Sequence, residues 1–247
     1  MERLERGPCE WVAYERHPGS SPEVLFLGGF ASDMTGTKAL YLDAHCRARG
    51  RAFTRFDYQG HGASSGRFED GTIGRWVADA LAVLDRVVQG PAVLVGSSMG
   101  GWIMLLLALA RPERVKGLIG IAAAPDFTER LMRETMTPEE QQTLARDGVL
   151  LQPSDYGEPL RITRELLDEG RDHLLLDQAI AIGCPVHLLH GQADPDVPFE
   201  LSLELADRLE SRAVTLELVK DGDHRLSREA DLRRLAAALD RLLEAVG

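Results

Sequence analysis

Gly96-Ser97-Ser98-Met99-Gly100 is the stretch of this sequence best suited to covalent chemistry. Ala92-Val93-Leu94-Val95 precedes it, an apolar run of strand length. Trp102 to Ala110 follows, apolar and of helix length. A serine on a sharp strand-to-helix turn projects its hydroxyl clear of the backbone. Glycines on either side let neighbouring chain approach without a Cβ clash. Ser98 is therefore the expected nucleophile; Ser97 sits off-centre. The Met99 amide, at the helix N-terminus, is placed to meet a developing oxyanion. A glycine-rich turn without chemistry is the competing reading, and the flanking strand and helix weigh against it.

A nucleophilic serine needs a base, and the base needs an orienting acid. Two later segments offer them. Val186 to His190 reads as a buried strand and leads into Gly191-Gln192-Ala193-Asp194. Val214 to Val219 reads as another and leads into Lys220-Asp221-Gly222-Asp223-His224. Sites of open parallel sheets lie just past the C-terminal ends of strands, so His224 is the expected base. Asp194 is preferred over Asp196 as the acid, because Pro195 holds Asp194 extended. Asp196, before Val197-Pro198, is placed to fix the turn. Asp221 and Asp223 are too near His224 in sequence to reach its far ring nitrogen. After the run Val24-Leu25-Phe26-Leu27 comes Gly28-Gly29-Phe30-Ala31, where the Phe30 amide is assigned as second oxyanion donor. This is no dinucleotide fingerprint, since the G-x-G-x-x-G spacing is absent.

The elements that must hold these residues alternate. Strands are expected at Glu10 to Tyr14, Val24 to Leu27, Ala52 to Phe56, Ala92 to Val95 and Val115 to Ile121. Helices are expected over Thr37 to Arg49 and Thr72 to Val88. Short connections between them describe an α/β, mostly parallel, doubly wound sheet. The alternation breaks after Ala124. Phe127 to Thr135, Pro138 to Arg146 and Thr163 to Leu176 look helical. Thr137 is an N-cap with Pro138 at the first helical position. Gly148 to Leu151 and Pro159 to Ile162 flank Pro153 to Gly157 as a small hairpin. We expect a core of residues 1–125 and 179–247 with a cap insertion at 126–178. Phe127, Leu131 and Leu150 are the candidate acyl-binding residues, against the alternative that such residues only glue cap to core.

Composition narrows the function. The chain has 247 residues, 44% of them hydrophobic, and a net charge of −11. That argues against nucleic acid or an anionic membrane surface as partner. Three scattered cysteines make neither a disulfide framework nor a metal cluster. No run is long enough to cross a bilayer. Met1 to Arg6 has no apolar core and is no secretory signal.

The residues also carry a resemblance. Gly36-Thr37-Lys38-Ala39-Leu40, Arg55-Phe56-Asp57-Tyr58, Gly96 to Trp102, Ala110-Arg111-Pro112-Glu113 and Asp223-His224-Arg225 resemble the α/β-hydrolase superfamily of serine hydrolases, in its abhydrolase-domain branch. The likeness runs from about Val24 to Asp231. It implies an α/β-hydrolase fold with an inserted cap, and the triad Ser98, Asp194 and His224. It implies a palmitoyl-protein thioesterase or acyl-glucuronide esterase activity on acyl thioesters or carboxylic esters. The partners would be a small acyl ester or thioester and an S-acylated protein, with no cofactor and no metal. His61, between Gly60 and Gly62, precedes Ser98, the wrong order for this fold; it and Asp57 are read as structural. A general carboxylesterase of small esters, or a non-catalytic ligand-binding protein on the same fold, are the alternatives. The likeness includes a mitochondrial member, but no presequence is seen here, and a cytoplasmic location is expected.

Overall fold

The computed structural model of the chain describes residues 1–152 and 159–247; the turn expected at Pro153 to Gly157 lies outside them. The chain opens with an antiparallel ribbon, β1 (Glu2–Gly7) and β2 (Glu10–His17), and then winds the sheet. β3 (Ser20–Leu27), α1 (Thr37–Ala48), β4 (Arg51–Phe56), α2 (Ile73–Arg86), β5 (Ala92–Ser97), α3 (Met99–Ala110) and β6 (Val115–Ile121) follow. A long excursion comes next, with a π-helical turn at Thr128–Arg133, α4 (Pro138–Asp147), β7 (Val149–Gln152), β8 (Leu160–Thr163) and α5 (Arg164–Gly170). β9 (Val186–Gly191), α6 (Glu200–Arg208), β10 (Val214–Val219) and α7 (Glu229–Val246) complete the chain.

The main sheet has the order β1-β2-β4-β3-β5-β6-β9-β10. The six strands from β4 to β10 are mutually parallel; β1 and β2 are antiparallel additions. β3 is followed on one side by β4 and on the other by β5. The winding therefore reverses beside β3, which opens a crevice at its C-terminal end. This is the expected α/β-hydrolase architecture. The sequence reading did not anticipate β1. Its residues Glu-Arg-Leu-Glu-Arg are almost all charged, and only Leu4 is buried. A charged edge strand resists pairing with other chains and hides its periodicity.

Strand alternation builds two core faces. Leu25, Leu27, Leu94, Leu118 and Leu188 pack with α2, α3 and α6. Val24, Phe26, Val93, Val95, Ile119 and Ile121 pack with α1 and α7. α3 is apolar almost all round and nearly wholly buried, as a central helix must be.

The excursion after β6 has its own small core of Met136, Leu144, Leu150, Ile162 and Leu167. α4 carries the expected start: Thr137 Oγ1 accepts from the Glu140 amide at 3.2 Å, and Glu140 accepts from the Thr137 amide at 2.8 Å. β7 and β8 pair antiparallel as the expected hairpin. The helix expected over Thr163 to Leu176 stops at Gly170. There the chain presses on Thr128, where a Cβ on Gly170 would lie 2.4 Å from Thr128 Oγ1. The Asp126 carboxylate then draws the chain out by accepting the amides of Leu175 and Leu176, each at 2.9 Å. One buried side chain thus joins the two ends of the excursion.

Candidate active site

Ser98 occupies the turn between β5 and α3 with φ 54° and ψ −119°, a conformation that costs energy for any residue but glycine. Close packing imposes the glycines around it. A Cβ on Gly96 would lie 2.3 Å from the Gly100 oxygen, and one on Gly100 2.2 Å from the Leu27 oxygen. The turn itself is tied down. The Ser98 amide donates to the Ile121 oxygen at 2.9 Å, and the Ser98 oxygen accepts from Gly101 and Ala124. Ser98 is half-buried, whereas Ser97 at the end of β5 is buried.

His224, in the loop after β10, places Nε2 3.1 Å from Ser98 Oγ. Its Nδ1 lies 2.8 Å from Asp194 Oδ2. Asp194 Oδ1 accepts the amides of Asp196 and Val197, each at 2.9 Å, so the carboxylate is held at both oxygens. Burial pushes the Asp194 carboxyl up, but the hydrogen bonds of His190, His224 and the Val197 amide outweigh it. The net result lies well below the usual carboxylate range. Asp196 is exposed. Asp221 pairs instead with Arg228, and Asp223 accepts the Leu226 amide at 3.0 Å. The loops after β9 and β10 press together: the Ala193 amide donates to the Gly222 oxygen, and a Cβ on Gly191 would lie 2.2 Å from that oxygen.

The Gly28–Ala31 loop leaves β3 beside the serine, and a Cβ on Gly29 would lie 3.5 Å from Ser98 Cβ. The amides after Phe30 are engaged, Ala31 by His61 Nε2 at 3.2 Å and Ser32 by the Gly29 oxygen at 3.3 Å. Burial lowers His61 to about 4, so its ring is neutral at neutral pH and free to accept. Asp57 accepts the amides of Met34 (2.6 Å) and Ala63 (2.8 Å), which locks the loop after β4 to the loop after β3. Met99 is the first residue of α3, so its amide has no acceptor within that helix.

The half-buried Phe30 ring meets Phe68, Trp76 and Phe127 at centroid distances of 4.9, 5.8 and 5.7 Å. Phe127 is buried and also stacks edge-on against Trp102. Leu131 is half-buried against the same core, and Leu150 lies within the excursion's own core. Phe30 packs against both clusters.

Among the described residues, Asp194, Asp196 and His224 bring one ligand atom each within 4.8 Å of one another. Two of these groups already face each other in the 2.8 Å hydrogen bond, so their facing atoms are engaged with one another.

Several residues at the site escaped the sequence reading. His190 and Ser202 lie behind Asp194, and Lys38 on α1 donates to the oxygen of Arg225, next to His224 in the chain. Burial lowers Lys38 to about 8. The one local signal was a histidine ending an otherwise apolar strand, Val186-His187-Leu188-Leu189-His190.

A doubly wound parallel sheet with serine on the turn after β5, and aspartate and histidine after β9 and β10, defines the α/β-hydrolase class of serine hydrolases. Comparison with known proteins agrees. Residues 21–146 match the family described as "Serine aminopeptidase, S33". The "Palmitoyl-protein thioesterase ABHD10, mitochondrial" of Mus musculus is 41% identical over 98% of this chain and 82% of its own length. The Homo sapiens protein of that name is 40% identical over 98% and 79%. A solved structure of a putative hydrolase from Agrobacterium vitis is 43% identical, with a TM-score of 0.93 over 98% of this chain and 97% of that one. The chain belongs to the ABHD10 family of α/β-hydrolases, and it is a hydrolase. The expected cytoplasmic location is corrected by this comparison, because those relatives are named as mitochondrial. The physical reason is that an organelle address is read from a segment outside the folded core, which carries no trace of it.

Proposed function

We propose that the chain hydrolyses acyl thioesters and carboxylic esters through an acyl-enzyme on Ser98. The relay that supports this is the pair of contacts from His224, 3.1 Å to Ser98 Oγ and 2.8 Å to Asp194 Oδ2. His224 Nε2 takes the Ser98 proton as Oγ bonds to the acyl carbon. The carbonyl electrons move to oxygen, where the Phe30 and Met99 amides receive the charge. Collapse breaks the bond to the thiol or alcohol, which leaves with the proton from His224. His224 then takes a proton from water; the hydroxide adds to the acyl carbon, and Ser98 departs with that proton as the acid is released. Asp194 keeps Nδ1 protonated and stabilises the imidazolium.

Residues 126–178 act as a cap on a core formed by 1–125 and 179–247. Phe127, Leu131 and Leu150 reach the reaction through Phe30, against which their clusters pack. An S-acylated protein is the proposed thioester substrate, in keeping with the names of the 40–41% identical relatives. A second reading, a carboxylesterase of small esters, uses the same atoms. The burial of Phe127 and Leu150, 6% and 7% exposed, favours it, since those side chains are spent on packing.

Turnover of p-nitrophenyl esters and of S-acyl-peptide thioesters across chain lengths separates the two. Ser98→Ala is expected to lose turnover of both without a change in melting temperature. Ser97→Ala, altering a buried strand-end hydroxyl, is expected to stay active. An active Ser98→Ala refutes the mechanism.

A further inference from the structure

His190 is the next-to-last residue of β9 and has no exposed side-chain surface. Its Nε2 faces two acceptors, the Val197 oxygen at 3.0 Å and Asp194 Oδ2 at 3.2 Å. That nitrogen therefore carries the proton. The other ring nitrogen, Nδ1, lies 2.6 Å from Ser202 Oγ, buried on α6, whose hydroxyl can donate to it. The order Ser202, His190, Asp194, His224, Ser98 is an unbroken line of polar side chains running from α6 to the nucleophile. The ionisable groups along it beyond His190 are Asp194 and His224, with the exposed Asp196 beside them.

We propose that His190 is a positioning residue for the acid: it shares Asp194 Oδ2 with His224, and so sets the carboxylate's orientation and its pull on the base. This rests on the triad reading above. A buried polar ring in a strand of Val and Leu carries a desolvation cost that partners must offset. The Val197 oxygen alone would satisfy Nε2. The second contact falls on the same oxygen that receives His224. A donor there stabilises the carboxylate's charge and weakens its hold on the His224 proton. The depressed Asp194 carboxyl agrees with this, since His190 is among the hydrogen-bond partners that lower it. Without that donor, Asp194 binds the imidazolium more tightly, and His224 loses its proton at higher pH.

The test compares the pH profile of kcat/KM for His190→Phe, His190→Gln and Ser202→Ala, with Ser98→Ala alongside and thermal melting on each. His190→Phe is expected to move the acidic limb up by about half a pH unit or more and to lower kcat roughly tenfold, with KM changed by less than about twofold. Gln presents an N–H near the position of Nε2 and is expected to restore both. Ser202→Ala, which frees Nδ1, is expected to move the limb the same way by less. If His190→Phe does not fold, Ser202→Ala decides, and an unmoved limb overturns the proposal. A folded His190→Phe with the wild-type limb also overturns it, as does a loss of kcat that Gln fails to recover. If Ser98→Ala turns over, the triad reading has failed and this proposal with it. An inactive Ser98→Ala beside an unmoved His190→Phe limb defeats the positioning role alone.

Discussion

Backbone strain in the described residues collects where the chemistry is proposed. Six non-glycine residues have positive φ: Cys9, Ala31, Ser98, Ala122, Asp126 and Leu226. All but Cys9 lie in loops that follow β3, β5, β6 or β10. Strain of this kind costs on the order of 1–3 kcal/mol per residue and persists where the surroundings over-determine it. Hydrogen bonds on both oxygens of Asp194 are the same device in a side chain. We expect Asp194→Asn to lower kcat by on the order of a thousandfold, through the wrong imidazole tautomer and an unpaired imidazolium. Asp196→Asn keeps the amide that meets Asp194 Oδ1 and is expected to cost far less. Comparison of kcat for the two folded variants checks this, and a larger loss at Asp196 would move the acid two residues along the loop. The placement of Ser98, Asp194 and His224 was legible because each has a local signal: glycine spacing, a following proline, the end of an apolar strand. Ser202 and Asp126 have none, and His190 has only its place near the end of an apolar strand. The His190–Ser202 pair is 12 residues apart and Asp126 meets its amide partners about 50 residues on, and a polar residue within an apolar run reads only as an exception.

Elements with strong local grammar were the ones that could be read. α4 announces itself by Thr137, Pro138 and Glu140, and the hairpin by two short runs around a proline and a glycine. α5 was overread because helical spacing continues past Gly170, while its end is dictated by contacts with Thr128 and Asp126 that helix periodicity does not encode. At this scale the proposed cap makes its own prediction. Phe127→Trp enlarges a ring against Phe30 and Leu131→Trp a chain on the core that Phe30 also packs on, while Leu150→Trp overfills the small core of the excursion. Each is expected to shift the preferred acyl chain to shorter lengths and to leave short-ester turnover within about threefold, because the oxyanion amides are untouched. Chain-length profiles that coincide with wild type across all three would remove the cap from selectivity.

On the scale of the whole molecule, two apolar faces sandwich one sheet, and buried carboxylates pin its loops. Asp79 on α2 is one of these. It receives Arg6 Nε at 3.3 Å and the Gln59 amide at 2.8 Å. Burial raises its carboxyl to about 6 despite both donors. An acid raised on folding favours the folded state while it is protonated. Its contribution is present below the ordinary aspartate pKa and lost as pH rises through about 6. That loss is on the order of 3 kcal/mol. Urea melts of wild type and Asp79→Asn at pH 4.5 and 7.5 read it directly: the stability of wild type relative to the variant is expected to fall between the two. A relative stability that rises with pH would reverse the sign.

The Asp126 carboxylate has a consequence for how such a protein can change. It holds Leu175 and Leu176 at the mouth from which the excursion departs, so the two ends are fixed beside each other, while Phe127 and Leu166 between them pack on the main core. Lengthening a closed loop costs little, about 0.6 kcal/mol for each doubling. On the proposed reading of the segment as a cap, the stretch from α4 to β8, which carries its own small core, is the part that tolerates exchange or extension while β6, β9 and the serine turn keep their places.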